Sequence, residues 1–500
     1  MSVALAKGVT TAIQPTVALA AGISRAYLLR HRICPRATDA AGSLVVAVGV
    51  EPSADALEEL SRIYGRPCRT EAVTDTELER LVELAATEAD RIVALERVSP
   101  DEADDERTTD VRDLANQPPV IRYVNLLIRD AHDARASDIH LEAAPDGLRV
   151  RLRIDGVLTE LPGPPRGYQA AVVSRVKLLA ELDIAERRAP QDGRIRVRLE
   201  ARELDLRIST VPTLHGESVV LRLLDRGGQA VGLDDLGMAP DTLEAFRRLA
   251  TRPHGILLAT GPTGSGKTTT LYAALALRDG GREKVVTVED PVEYHLPGVT
   301  QVPVHAKAGV SFAAALRSIL RQDPDVLMVG EMRDAETAGI AVQAAMTGHL
   351  VFSTLHTNDA LSAIARLTDL RVEPYMVAST VEAVLAQRLV RRVCPECRTR
   401  YRPDPAIVAL LAQQPVGAIT LERGTGCAAC RHTGYRGRTG IFELLVLTDA
   451  CKEAVTRGAD AATLRGLARD QGMTSLRADG WRKVQAGMTT VEEVLRVAGE

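Results

Sequence analysis

An α/β chain built mainly on a doubly wound parallel sheet is what these 500 residues predict, and three observations carry that expectation. Short buried-strand runs (Gly255-Ile-Leu-Leu-Ala-Thr260, Val285 to Val288, Val326 to Val329, Leu350 to Thr354) alternate with long stretches of helical spacing, as in sheets covered by crossover helices on both faces. A glycine-rich segment sits directly between the first of those strands and a helical run opening with Thr269, Thr270 and Leu271. Two Cys-x-x-Cys pairs add a small module of their own.

Taken in order, Ser43 to Val50 reads as a buried strand and Glu51-Pro52-Ser53 as a helix start, with Leu57, Leu60, Ile63 and Tyr64 at helical spacing after it. With a helical pattern over Glu77 to Val98 they form a small α/β unit, residues 1–100. An acidic stretch without apolar period, Pro100-Asp-Glu-Ala-Asp-Asp-Glu-Arg107, marks a linker over 101–118. Residues 119–226 predict a mixed α/β domain: a helix from Val120 to Ala134, then strands 138–142, 148–154, 194–199 and 204–209. A glycine-bearing connection, 227–238, leads into the parallel-sheet core at 239–390. The cysteine module follows at 391–440, and the pattern is helical through 441–500.

This length exceeds one ordinary domain, and 45% hydrophobic with 26% charged residues suits soluble globular units rather than disorder. A net charge of −4 gives no bulk attraction to nucleic acid or anionic lipid, and 3% aromatics disfavours base-stacking platforms. No apolar run approaches the roughly 20 residues of a membrane span, and Gln14 and Pro15 interrupt the only stretch resembling a secretory leader. A cytoplasmic location is expected. Of seven cysteines, Cys34, Cys68 and Cys451 read as core thiols.

Gly261, Pro262, Thr263, Gly264, Ser265, Gly266, Lys267 and Thr268 fit G-x-x-x-x-G-K-[ST] in the strand–loop–helix context that confirms it. Backbone N–H groups and the helix N-terminus would surround the phosphates of ATP, Lys267 would reach the β/γ oxygens, Thr268 would bind Mg2+, and Thr269 opens the helix beside them. Hydrolysis also needs an oriented water and neutralised phosphoryl charge. Glu331, after the strand Val326 to Val329 and Gly330, is a candidate for holding metal or water. Glu289 and Glu293, in Glu289-Asp-Pro-Val-Glu293, end another strand; one carboxylate could be the general base, and a solvated strand end is the alternative.

These segments, with Arg317-Ser-Ile-Leu-Arg-Gln-Asp-Pro-Asp325, Gly330-Glu-Met-Arg-Asp334 and Thr347 to Asn358, occur in the order seen in secretion ATPases. Together they resemble the type II secretion and type IV pilus assembly ATPase family. The match extends upstream through Ser137 to Glu142, Arg153 to Gly156 and Gln191 to Arg194, covering about 119 to 500. The resemblance implies a P-loop NTPase domain of RecA-like fold and a homo-hexameric ring in which arginines supply charge to the phosphates. The matching positions are Arg207, Arg222, Arg317 and Arg321. Arg317 and Arg321 share a helix face by spacing, for which a solvated basic face is the bland reading; Arg207 and Arg222 equally suit a cross-strand role. The resemblance also places His349 and His356 near the nucleotide edge, although spacing alone favours hydrogen-bonded strand-end histidines.

Cys394-Pro-Glu-Cys397 and Cys427-Ala-Ala-Cys430 form two turns that suit one tetrahedral S4 site for structural Zn2+. Such an insert is typical of the family's secretion and pilus-extension members and absent from its retraction members. The implied function is an ATPase that powers pseudopilus assembly and protein export in type II secretion. Residues 1–100 would dock onto the cytoplasmic part of an inner-membrane platform protein, so that membrane contact is indirect. Type IV pilus extension is the alternative, and a DNA uptake or conjugation motor is disfavoured by the charge balance.

Overall fold

The computed structural model describes residues 25–39, 42–50, 52–82, 85, 115, 117–199, 202–225, 231–305, 308–412 and 419–498. They divide at Leu224/Asp225 into two units. Most of the expected linker at 101–118, most of the helix expected over 77–98, and Arg226 to Gly228 lie outside the described residues.

In the first unit, α1 (Arg25–His31), β1 (Ile33–Thr38), β2 (Leu44–Val48), α2 (Ala54–Tyr64) and β3 (Cys68–Ala72) form a three-stranded sheet of order β1-β2-β3 with its helices. Ser53 caps α2 by accepting from the Ala56 N–H at 3.4 Å, and Leu60 packs with Val46 and Ala47 in the core. Cys34 is buried there, whereas Cys68 is half-buried. A separate core follows, made by α3 (Pro118–Asp133), β4 (Ala136–Ala144), β5 (Gly147–Ile154), β6 (Val157–Leu161), α4 (Gln169–Leu179), β7 (Gln191–Leu199), β8 (Arg202–Thr213) and β9 (Gly216–Asp225). Its six strands run in the order β6-β5-β4-β9-β8-β7. Alternation is plain in β5, where Leu148, Val150 and Leu152 are buried while Arg149, Arg151 and Arg153 point away from the core.

The strands of the second unit are β10 (Gly255–Thr260), β11 (Val285–Glu289), β12 (Val299–Pro303), β13 (Val326–Val329), β14 (Leu350–Leu355), β15 (Val381–Val393), β16 (Arg398–Tyr401), β17 (Leu421–Gly424) and β18 (Tyr435–Val446). β16 and β17 pair with each other, and the rest form a seven-stranded sheet of order β12-β11-β13-β14-β10-β15-β18. All strands of that sheet are parallel except β18, which pairs antiparallel with β15. Every residue of β10, β11, β13 and β14 is buried, as continuous apolar runs between two helical layers require. Among those helices, α5 (Pro240–Ala250) precedes β10, α6 (Lys267–Leu275) follows it, α7 (Phe312–Ile319) precedes β13, α8 (Ala335–Met346) follows it, and α9 (Ala360–Asp369) follows β14. Two buried clusters, one on each face, hold the sheet. Burying a large aliphatic side chain contributes about 1.5–3 kcal/mol, so the strand ends form a rigid edge.

β15 and β18 were not among the expected strands. β15 passes from the core into the cysteine module without a break and, with β18, carries that module at the end of a two-stranded ribbon. Four helices, Asp449–Thr456, Ala461–Asp470, Leu476–Gln485 and Val491–Ala498, follow β18, whose strand extends through 441–446 into the stretch expected to be helical.

Candidate active site and tetracysteine centre

Parallel pairing decides which residues can meet. Thr260 of β10 lies level with Leu355 of β14 and Ala386 of β15, while Val329 of β13 lies level with Ser353. The segments that leave these carboxyl ends therefore converge: the phosphate loop from β10, Gly330-Glu331 from β13, His356 to Asp359 from β14, and Gln387-Arg388 within β15. Ligands bind at this edge of doubly wound sheets.

Gly261 has φ +150°, Gly264 +78° and Gly266 +87°, so the loop turns through conformations that favour glycine. α6 starts at Lys267. The Lys267 Nζ donates to the carbonyls of Gly261 (2.7 Å) and Pro262 (3.1 Å). Burial above all, with the charge of Arg388 against that of Glu331, pushes its pKa down to about 8. The Ser265 hydroxyl is buried with no hydrogen-bond partner among the described residues. A buried cation held by loop carbonyls, an orphaned hydroxyl and a helix N-terminus fit a nucleotide's phosphates.

Glu331, largely buried, is bracketed by Arg333 Nη2 at 2.5 Å and His356 Nε2 at 3.5 Å. Burial first, then the charges of Lys267 and Arg333, lower the His356 pKa, so its imidazole is neutral near neutral pH. Gly330 lets this segment run beside β11: a Cβ there would lie 3.2 Å from the Val288 carbonyl. Glu289 is placed differently. It is buried, accepting from Tyr272 Oη, from Thr287 Oγ1 at 2.5 Å and from Gln301 Nε2 at 3.3 Å. Glu293 is exposed in the following turn, near Tyr272.

His349 precedes β14 and His356 follows it, so seven residue steps, about 23 Å at 3.3 Å per residue, separate them. His349 Nδ1 lies 2.9 Å from the Ala344 carbonyl at the edge opposite the phosphate loop. Arg317 pairs with Glu336, and Arg321 lies beyond the end of α7, donating to the Arg317 carbonyl at 2.8 Å and to Ser318 Oγ at 3.2 Å. In the first unit, Arg222 Nε donates to the buried Asp138 at 2.9 Å, and Arg207 on β8 lies opposite Arg194 of β7. Sequence reasoning missed Arg333, Gln387 and Arg388. The first follows Glu331 by two residues; the others carry no motif and reach the loop only through strand pairing.

The four cysteines form the one cluster of metal-ligating side chains among the described residues, with all sulfurs within 4.8 Å of one another. Cys394–Cys427, Cys397–Cys430 and Cys427–Cys430 Sγ separations are 3.9, 3.8 and 3.7 Å. A tetrahedron of 2.3 Å Zn–S bonds has edges of about 3.8 Å, so the donor set fits zinc. The Cys427 and Gly434 N–H groups donate to Cys430 Sγ at 3.1 and 3.2 Å. Burial opposes its ionisation, but such donors outweigh it and bring Cys430 down to about 7.

The chain matches known proteins along most of its length. Residues 113–496 match the family model described as type II/IV secretion system protein, and residues 11–91 match the MshEN domain. The chain is 49% identical over 438 residues to the type II secretion system protein HxcR of Pseudomonas aeruginosa, covering 86% of this chain and 90% of that protein. It is 46% identical to the type II secretion system protein E of Xanthomonas campestris pv. campestris, over 95% and 84% of the two chains. The type IV pilus assembly ATPase PilB of Myxococcus xanthus is 43% identical over 93% of this chain and 84% of its own. Among solved structures, the pilus retraction motor PilT with bound ADP superposes with a TM-score of 0.51 at 26% identity, covering 75% of this chain and 97% of its own.

Proposed function

Because the chain belongs to the type II/IV secretion system protein family, we propose that it is the ATPase that hydrolyses ATP to drive pseudopilus assembly and protein export by type II secretion. The observation that carries the chemistry is the meeting of Lys267, Glu331 and His356 at the phosphate loop. Lys267 and the loop N–H groups bind the β/γ phosphates, and Thr268 would hold Mg2+, which would supply neutralising charge at the transferring phosphoryl. Glu331 orients the attacking water. Its carboxylate is bracketed beside the loop, whereas that of Glu289 is taken up by three donors. As the family resemblance implies, the protein works as a homo-hexamer in which Arg207, Arg222, Arg317 and Arg321 supply positive charge to the phosphates. Cys394, Cys397, Cys427 and Cys430 hold a structural Zn2+.

No helix among the described residues is long and apolar enough to cross a membrane. We propose a cytoplasmic protein recruited to the inner membrane by docking of its N-terminal region, which matches the MshEN domain, onto the cytoplasmic part of a platform protein. The PilB match supports pilus extension as a second reading. Steady-state phosphate release from the purified protein tests the enzyme: Lys267→Ala and Glu331→Gln should each abolish turnover, and unchanged turnover in either would refute its assigned role. Restoration of exoprotein release, not of surface pili, in a strain deleted for this gene separates the two readings.

A further inference from the structure

Thr260 meets Ala386 across the β10–β15 pair, so the next two residues of β15, Gln387 and Arg388, run beneath the phosphate loop. Gln387 is buried, and its Oε1 accepts from Thr270 Oγ1 of α6 at 2.7 Å. Its carbonyl oxygen lies 2.5 Å from where a Cβ on Gly261 would stand, and its Nε2 2.8 Å from a Cβ on Gly266. Two glycines of the loop are thus demanded from below by β15, independently of any phosphate above. Arg388, only 9% exposed, brings Nη1 to 3.0 Å from the same Gly261 Cβ position. Its Nη2 donates to the Asn358 carbonyl at 2.8 Å, and Nη1 to the Gln387 carbonyl at 3.3 Å. One guanidinium therefore touches both the first residue of the phosphate loop and the segment that begins with His356.

The charge of this arginine is buried. Its hydrogen-bond acceptors are carbonyl and amide oxygens, and the charges of Asp359 and Glu443 offset part of its desolvation. Arginine does not escape burial by losing its proton. Lys267 is a second desolvated cation at the same loop; its hydrogen-bond acceptors are likewise carbonyls, and the charge of Glu331 offsets part of its burial. The two cations act on each other beside Gly261, and the field they make is aimed where phosphate charge would lie.

We propose that Arg388 is a positioning residue for ATP hydrolysis, holding Gly261 and the His356–Asp359 segment in one arrangement and adding its charge to that of Lys267 at the phosphate loop. This role rests on the ATPase activity proposed above.

The test is steady-state ATP hydrolysis by the purified full chain and its Arg388→Gln and Arg388→Lys variants, with kcat and KM read separately. Melting temperature and oligomer size serve as controls for folding. Arg388→Gln should lower kcat at least about tenfold through lost positioning, with a smaller change in KM because the donors of the phosphate loop itself remain. Arg388→Lys should not restore kcat, because a point charge cannot bridge the Gln387 and Asn358 carbonyls as the planar fork does. A kcat within twofold of wild type in folded Arg388→Gln overturns the role, as does a loss carried by KM alone. If Arg388→Gln does not fold, full wild-type kcat in Arg388→Lys overturns it instead. An inactive wild-type protein would overturn the ATPase activity itself.

Discussion

Gly261→Ala is the substitution for which the structure gives the sharpest expectation. The new methyl would stand 2.5 Å from the Gln387 carbonyl oxygen and 2.7 Å from Ser265 Oγ, on a backbone with φ +150°. That carbonyl belongs to a strand paired on both sides, with β10 and with β18, so it cannot swing away. Restoring ordinary contact requires a separation larger by roughly 1 Å. The unusual φ costs about 1–3 kcal/mol and overpacking about 1–3 kcal/mol more, set against a total stability of order 5–15 kcal/mol. The loop stands at the edge of the sheet, so it relieves the strain most cheaply by lifting off β15 rather than by unfolding the unit. A loop displaced by 1 Å loses its register with the phosphates; even 2 kcal/mol lost from binding weakens nucleotide affinity about 30-fold. Titration with a fluorescent ATP analogue, with melting temperature alongside, reads both quantities. Gly264→Ala is the comparison: φ is +78° but nothing lies within 4 Å of its Cβ, leaving only the backbone cost of about 1–2 kcal/mol. Wild-type affinity and melting temperature in Gly261→Ala would refute the claim that β15 dictates this glycine.

Further expectations concern the carboxylates and the cysteines. Tyr272→Phe removes one donor from buried Glu289 and should cost about 1–3 kcal/mol of stability while leaving turnover within a few-fold; a loss as deep as that of Glu331→Gln would show that Glu289 belongs to the chemistry. Glu493 is buried, yet donors from Arg496 and Arg391 outweigh burial and bring its pKa down to about 2. A depressed carboxylate stabilises the fold above its unfolded pKa near 4.5, and that contribution disappears as pH falls from there towards 2. Glu493→Gln should therefore destabilise by about 3–5 kcal/mol at neutral pH and flatten the acid limb of thermal melts; an unchanged limb would count against the pairing. Elemental analysis of protein purified without a metal-affinity tag should find about one zinc per chain, lost in Cys430→Ser together with a lower melting temperature. A metal-free protein with an unchanged melt would remove zinc from the structural account.

The local signals were legible because their physics is local. The phosphate loop is a contiguous motif whose glycines, lysine and threonine act within eight residues, and the predominantly apolar runs of β10, β11, β13 and β14 announce strands buried on both faces. The α2 start was readable from Ser53 for the same reason, and the cysteine spacing already implied four converging sulfurs. β15 was harder: Val381–Val393 mixes apolar residues with Glu382, Gln387, Arg388, Arg391 and Arg392, and its polar side chains are satisfied by distant partners that no window of sequence contains.

Composition and motif, then, determined by themselves an α/β nucleotide-binding chain with a tetracysteine module, since hydrophobic period and motif spacing act over a few residues. Tertiary structure alone decided which side chains share the site. Parallel register sends His356 to the phosphate loop and His349 to the opposite edge, and it slides Gln387 and Arg388 beneath Gly261. Strand order is set by burial summed over the whole sheet, a quantity that no local segment carries.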